Sequence, residues 1–189
     1  MSKFFDLHRH DEHSFFDGFG KPQELVEIAK ELGYKALGTS NHGNISGLIQ
    51  HWLACRDAGI KPILGCEIYF QPVYNKENPK RKSYHLNLFV KNLKGYENLC
   101  HIMTKANTQQ FYYKPIVDFK LLKGYSEGLI CTTACIASAT SQAIVNNNEK
   151  MAIKILKKFK SIFGKDLYVC WSFSRRRSLS LGTRRLCSH

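Results

Sequence analysis

A chain of 189 residues with 43% hydrophobic and 12% aromatic content can bury the core of one domain, which excludes a wholly disordered protein. Its formal net charge of +13 favours a polyanionic partner such as nucleic acid. Part of that charge lies in five arginines after Val169 and in lysines at helical spacing between Lys150 and Lys165, which a solvated helix face also explains.

The elements read as follows in chain order. Phe4–Leu7 forms a short strand, followed by the polar stretch DLHRHDEHSFFDG at residues 6–18, with three histidines and four acids. Pro22 opens a helix whose face is Leu25, Ile28, Ala29 and Leu32, and Gly33 ends it. Lys35–Thr39 is a strand, and Asn44 caps a helix that runs to Ala58 and stops at Gly59. Pro62–Phe70 is a buried strand, 71–83 a basic loop and Tyr84–Lys91 another strand. Residues 94–106 form a helix, then come an irregular aromatic section, a short helix near 118–124, a strand at Gly128–Thr132 and a helix over 136–146. A helix over 149–163 carries the stripe Met151, Ile155, Leu156, Phe159, Ile162 and Phe163, and Lys165–Val169 is the next strand.

Strands alternating with helices imply βα units and a mainly parallel sheet, either doubly wound or closed as a barrel. The GxGxxG turn of a dinucleotide-binding version is absent. From Cys170 the pattern changes. CWSFSRRRSLSLGTRRLCSH has no apolar periodicity, and reads as a basic tail that is disordered or, preferably, translated out of frame. The expected organisation is therefore one domain over 1–169 and a tail over 170–189.

Seven cysteines at 55, 66, 100, 131, 135, 170 and 187 contain no CxxC pair, which fits reduced thiols in a cytosol, most of them in the core. The first twenty residues lack the basic start and apolar core of a secretion signal, and no apolar run approaches the roughly 20 residues that span a bilayer. A cytoplasmic protein with no membrane partner is expected.

The candidate ligands sit mainly at strand ends. His8, His10 and Asp17 follow the first strand, His42 the second, and Cys135 the strand at 128–132, while Glu67 lies within the third and His85 begins the fourth. In a barrel of parallel strands such positions converge on one mouth. A lone histidine in a strand is usually core or surface, but Glu67 lies in the apolar run PILGCEIYF, where a buried carboxylate needs a partner or a cation. His8 and His10 flank one residue, so in a strand both imidazoles face one side. Imidazoles with carboxylates suit zinc, manganese or iron(II).

These residues resemble a known family, the PHP (polymerase and histidinol phosphatase) domain, and within it the domain that begins the alpha subunit of bacterial replicative DNA polymerase III. DLHRHDEHSFFDG is similar to that family's HLHxHxxxSxLDG, and ALGTSNHGNISG to its ALTDHGNxxG. AGIKPILGCEIYF, YHLNLFVKNLKGYENL and YYKPIVDFKLLKGYSEGLICTTACIAS resemble its following blocks, so the likeness runs from about residue 4 to 169.

The resemblance implies an α/β fold, a distorted (βα)7 TIM-like barrel, here incomplete at its C-terminal end. It implies two or three divalent metal ions (zinc, manganese or iron) held by His8, His10, Asp17, His42, Glu67, His85 and Cys135. His13 is then a supporting or surface residue, and His51 and His101 are exposed on helices. Two departures stand out: the family's Asp before the second-block histidine is Asn41 here, and its final Asp-x-His pair has no counterpart.

The implied activity is metal-assisted phosphoester hydrolysis, and in polymerase-linked members 3′→5′ removal of mismatched nucleotides. Implied partners are DNA and the remaining polymerase domains or replisome subunits. Lys76, Lys80, Arg81 and Lys82 are the expected phosphate-contacting residues. Three other readings remain open: a module that has lost catalysis and docks a separate exonuclease, a free-standing histidinol-phosphatase-like enzyme, and a nucleic-acid binder working through the arginine tail.

Overall fold

A computed structural model of the chain describes residues 5–15 and 17–170. The elements are α1 (Pro22–Glu31), β1 (Ala36–Thr39), α2 (Leu48–Ala58), β2 (Lys61–Phe70), β3 (Tyr84–Val90), α3 (Leu93–Gln109), β4 (Phe111–Tyr112), β5 (Lys114–Val117), α4 (Phe119–Tyr125), β6 (Leu129–Thr132), α5 (Ala139–Val145), α6 (Glu149–Phe163) and β7 (Leu167–Tyr168). The tail reading falls, beyond Cys170, outside the described residues.

The seven strands form one sheet in the order β4-β5-β2-β3-β6-β7, with β1 paired to β2. This is an α/β fold of the expected class, and its sheet is open: no pairing closes the expected barrel among the described residues. The expectation of a mainly parallel sheet is corrected. β1–β2, β2–β5 and β6–β7 are parallel, but β2–β3, β3–β6 and β4–β5 are antiparallel. The reason lies in the connections. Loop 71–83 contains no helix, so the chain simply returns antiparallel from β2 to β3, whereas α2 carries it over from β1 to a parallel β2.

Side-chain alternation divides this sheet into two faces. Cys66, Ile68, Phe70, Leu86, Leu88, Leu129 and Cys131 pack with Leu99, Ile102, Leu122, Phe159 and Phe163 from the helices into the main core. The intervening positions, among them Glu67, His85, Asn87 and Thr132, fall on the opposite face. A smaller core joins Val26 and Ala29 of α1, Leu37 of β1 and Cys55 of α2.

Several boundaries differ from expectation. Residues 5–7 form no assigned strand, although Asp6 O accepts a hydrogen bond from Gly38 N (2.8 Å) and Arg9 O one from Ser40 N (2.8 Å), so the segment follows the edge of β1. The N-cap of α2 is Gly47 rather than Asn44. Asn44 instead fastens the preceding turn, its Nδ2 donating to His13 O (2.9 Å) and His42 O (3.0 Å). In α1 the buried face is Pro22, Val26 and Ala29, while Ile28 and Leu32 are exposed, because α1 meets α2 one position round from the predicted stripe. On α6 the stripe holds at Ile155, Phe159 and Phe163, and Met151 is exposed. Among the described residues no helix is long and apolar enough to cross a membrane.

Candidate metal centre

Glu67 organises the site. It occupies the inward face of β2, and its side chain is 1% exposed. The turn after β1 continues along β2, with Gly43 N donating to Glu67 O (2.9 Å) and Glu67 N to Ser40 O (3.2 Å), which sets His42 beside the carboxylate. β3 pairs antiparallel with β2, placing His85 opposite Tyr69, two residues along from Glu67.

Three imidazoles converge on one oxygen. His8 Nε2, His10 Nε2 and His42 Nε2 lie 2.8, 3.1 and 3.3 Å from Glu67 Oε2, and His85 Nδ1 lies 3.2 Å from Oε1. Although 8–10 is not an assigned strand, alternation still operates. His8 and His10 face Glu67, while Arg9 turns the other way to Gly38 O (3.0 Å) and His51 Nδ1 (3.2 Å).

The remaining two candidates close the ring. Asp17 Oδ2 is 3.2 Å from His42 Nε2, and its Oδ1 accepts from Ser14 Oγ (2.6 Å), which in turn accepts from His42 N (3.0 Å). Cys135 follows β6, and Ala134 before it has φ 51°. That bend sets Cys135 Sγ 3.4 Å from His85 Nδ1 and 3.7 Å from Glu67 Oε1. The seven candidate metal ligands selected from the sequence are therefore drawn together.

Burial and mutual hydrogen bonding shift three of these groups in different directions. Burial alone would raise the Glu67 pKa, but hydrogen bonds from His10, His8 and His85 outweigh it and hold the carboxyl far below its usual range. His85 is pulled the other way. Burial opposes its charge, yet its bonds to Cys135 and Glu67 lift it to about 9. His42 is lowered, chiefly by burial, and its Nδ1 is buried without a partner among the described residues.

Donor atoms of three trios lie within 4.8 Å of one another: His8, His10 and Glu67; His10, Asp17 and His42; and His42, Glu67 and His85. Three imidazole nitrogens around one carboxylate oxygen need either a proton on each ring or a shared cation. A mixed nitrogen and oxygen donor set of this kind can hold a divalent metal.

Sequence reasoning missed several residues. Asp11 is fully buried; its Oδ1 accepts from His13 N (3.0 Å) and Asn41 Nδ2 (2.8 Å), and its Oδ2 from Thr39 Oγ1 (3.1 Å). Burial works against its charge, but these bonds dominate and lower its pKa. His13, given above as a supporting or surface residue, has Nδ1 2.9 Å from Asp11 Oδ1 and so braces that buried carboxylate. Tyr69 stacks on His42 with centroids 5.1 Å apart. Its position two residues after Glu67 was the available signal.

His51 corrects an expectation. It is fully buried rather than exposed, bonded to Leu37 O (3.0 Å) and Arg9, because its part of α2 packs over β1. His101 is exposed. Asn87 and Thr132 stand level with Glu67 across β3 and β6, buried, and their side-chain polar atoms have no partner among the described residues. Such a pair invites ordered water.

Comparison with known proteins gives the chain's relatives. The PHP domain family model matches residues 6–169. The DNA polymerase III subunit alpha of Aquifex aeolicus is 43% identical over 179 residues, covering 89% of this chain and 15% of that protein. That of Treponema pallidum is 37% identical over 169 residues, 87% of this chain and 14% of that protein. A solved structure from Bifidobacterium adolescentis, described as a metal-dependent phosphoesterase, aligns with 54% of this chain and 32% of its own at 25% identity and a TM-score of 0.40. The chain spans about 15% of the length of the polymerase subunits it matches. With a family model covering most of its length and this histidine and carboxylate cluster at its centre, the chain belongs to the PHP domain family.

Proposed function

We propose that this chain is the PHP domain portion of a replicative DNA polymerase alpha subunit, and that its centre binds two or three divalent ions and removes nucleotides from a DNA 3′ end. The observation that carries the reading is the convergence of His8, His10, His42 and His85 on Glu67, with Asp17 and Cys135 at its margins. Zinc, manganese and iron(II) fit the imidazole-rich donors better than magnesium does.

Bound divalent ions supply Lewis acidity toward phosphate oxygens and a nucleophile at neutral pH. The chain's own residues do the positioning. Glu67 holds four imidazoles in one arrangement, Asp17 with Ser14 fixes His42 from the open side, and Tyr69 covers the His42 ring face. The basic loop offers charge nearby. Gln71 Nε2 donates to Lys80 O (2.7 Å) and Lys82 O (2.8 Å), shaping a cavity of about 560 Å³ that Lys80 and Lys82 line. With Lys76 and Arg81, these lysines are suited to phosphate contact without sequence readout. A soluble replication protein of this kind acts in the cytoplasm beside the other polymerase domains and replisome subunits.

The test is hydrolysis of a 3′-mismatched primer duplex, against histidinol phosphate as competitor substrate, with manganese or zinc supplied. Mismatch removal that disappears in Glu67→Gln is expected. Turnover of histidinol phosphate without turnover of DNA would overturn the reading.

A further inference from the structure

The β4–β5 hairpin turns on an aromatic residue whose ring meets its neighbour Tyr112 edge-on, with centroids 4.8 Å apart, and otherwise faces outward. Tyr112 pairs with Lys114, leaving Tyr113 as the single turn residue at φ 59°, a left-handed conformation that normally selects glycine or asparagine. Tyr113 buries little in return, being 62% exposed, and Phe111 beside it is 55% exposed. Strained and exposed aromatic residues of this sort are a pointer to function.

Cations cover these rings. The Arg81 guanidinium sits 3.8 Å from the centroid of Tyr113, and Lys114 Nζ sits 4.2 Å from that of Tyr69. Neither cation has a carboxylate within ion-pair distance among the described residues. Tyr69 in turn stacks on His42 of the metal centre, nearly parallel at 6°. An unbroken series therefore leads from solvent to the site: Arg81 on Tyr113, Lys114 next in the chain, Lys114 on Tyr69, and Tyr69 on His42. Tyr69 is covered by His42 and Lys114, but Tyr113, 62% exposed beside Arg81, leaves ring surface on which a base can stack. Arg81 and Lys114 meet phosphates, a combination that suits a single strand.

We propose that Tyr113, Arg81 and Lys114 form a track that grips a single-stranded DNA end and leads it past Tyr69 into the metal centre. The proposal rests on the phosphodiesterase reading above and adds the residues that select an unpaired strand. The β2–β5 pairing makes the track rigid, since Tyr69 lies opposite Ile116 and Lys114 projects on the same face two residues earlier. Base stacking serves any sequence, so the track discriminates unpaired from paired ends rather than one base from another.

The test is binding of a fluorescein-labelled twelve-residue oligothymidylate to the full chain, followed by anisotropy in EDTA so that hydrolysis plays no part. Tyr113→Ala and Arg81→Ala are each expected to weaken binding about ten-fold, and Tyr113→Phe to bind as the unmodified chain does. Lys114→Gln should reduce the salt slope by about 0.7, one phosphate contact on a single strand. Thermal unfolding followed by circular dichroism serves as the folding control. Should Tyr113→Ala lower the melting temperature, Arg81→Ala decides, since it leaves the turn backbone untouched. No binding by the unmodified chain, or binding within two-fold of it in both alanine variants, would overturn the track. Weakened binding in the variants of a chain that hydrolyses no DNA supports the track and removes only the phosphodiesterase reading. DNA hydrolysis that continues undiminished in Tyr113→Ala and Arg81→Ala would overturn the track and leave that reading standing.

Discussion

Asn41 and Asp11 hydrogen-bond to each other twice, Asn41 Nδ2 donating to Asp11 Oδ1 at 2.8 Å and Asn41 Oδ1 accepting from Asp11 N at 2.9 Å. The departure from the family pattern at 41 therefore does not strip the region of its carboxylate, because Asp11 places one against the same side chain. An Asp at 41 would bring two buried carboxylates into contact. Asn41→Asp is expected to destabilise the fold by roughly 3 kcal/mol, and Asp11→Asn with Asn41→Asp to recover most of that loss. Urea unfolding of the two single variants and the double variant measures the coupling. Additive losses would show that the pair is not the linked unit described.

Gly38 is expected to be intolerant of any side chain. A Cβ there would lie 2.7 Å from Leu7 Cα, 2.8 Å from Leu7 O and 2.9 Å from Asp6 O, all backbone atoms of the segment that delivers His8. Gly38→Ala should cost about 1–3 kcal/mol and displace His8 from Glu67, weakening metal affinity about ten-fold. Gly124 in α4 has nothing within 4 Å of its Cβ position, so Gly124→Ala should raise stability slightly, by about 0.5 kcal/mol. Thermal unfolding and zinc titration compare the two.

His51 gives the fold an acid-sensitive point outside the proposed metal centre. Burial, reinforced by the Arg9 charge, lowers its pKa to about 4, below the ordinary 6.5. The unfolded chain then binds the extra proton between those values. Its stabilising contribution is complete above pH 6.5 and is lost as pH falls toward 4, a change of roughly 3 kcal/mol. His51→Gln should be less stable at pH 7.5 yet show a flatter decline between pH 6.5 and 4.5. Parallel curves for the two proteins in urea unfolding would refute the assignment.

Much of the site was legible because its residues are unusual where they stand. A glutamate within PILGCEIYF and a His-x-His pair beside an apolar segment conflict with simple packing, and both lie in the cluster. Asp11 was hidden because an acid in a polar stretch normally faces water; only the fold reveals that Thr39, Asn41 and His13 enclose it. His51 was misplaced because Ile49, Trp52 and Leu53 offer a second, more apolar face of α2, whereas the face that is buried is the one His51 shares with Leu48 and Cys55. The antiparallel β2–β3 pairing escaped notice for a different reason. A thirteen-residue loop, 71–83, is long enough for either sense of return, and the local pattern carries no information about direction.

The most direct measurement is the metal content of the purified chain by inductively coupled plasma mass spectrometry, beside Glu67→Gln and with circular dichroism to show that both are folded. The account expects at least one equivalent of zinc, manganese or iron in the unmodified chain and a loss of most of it in the variant. A folded, unmodified chain that takes up no transition metal when supplied with it, or a Glu67→Gln variant that retains the same amount, would contradict it.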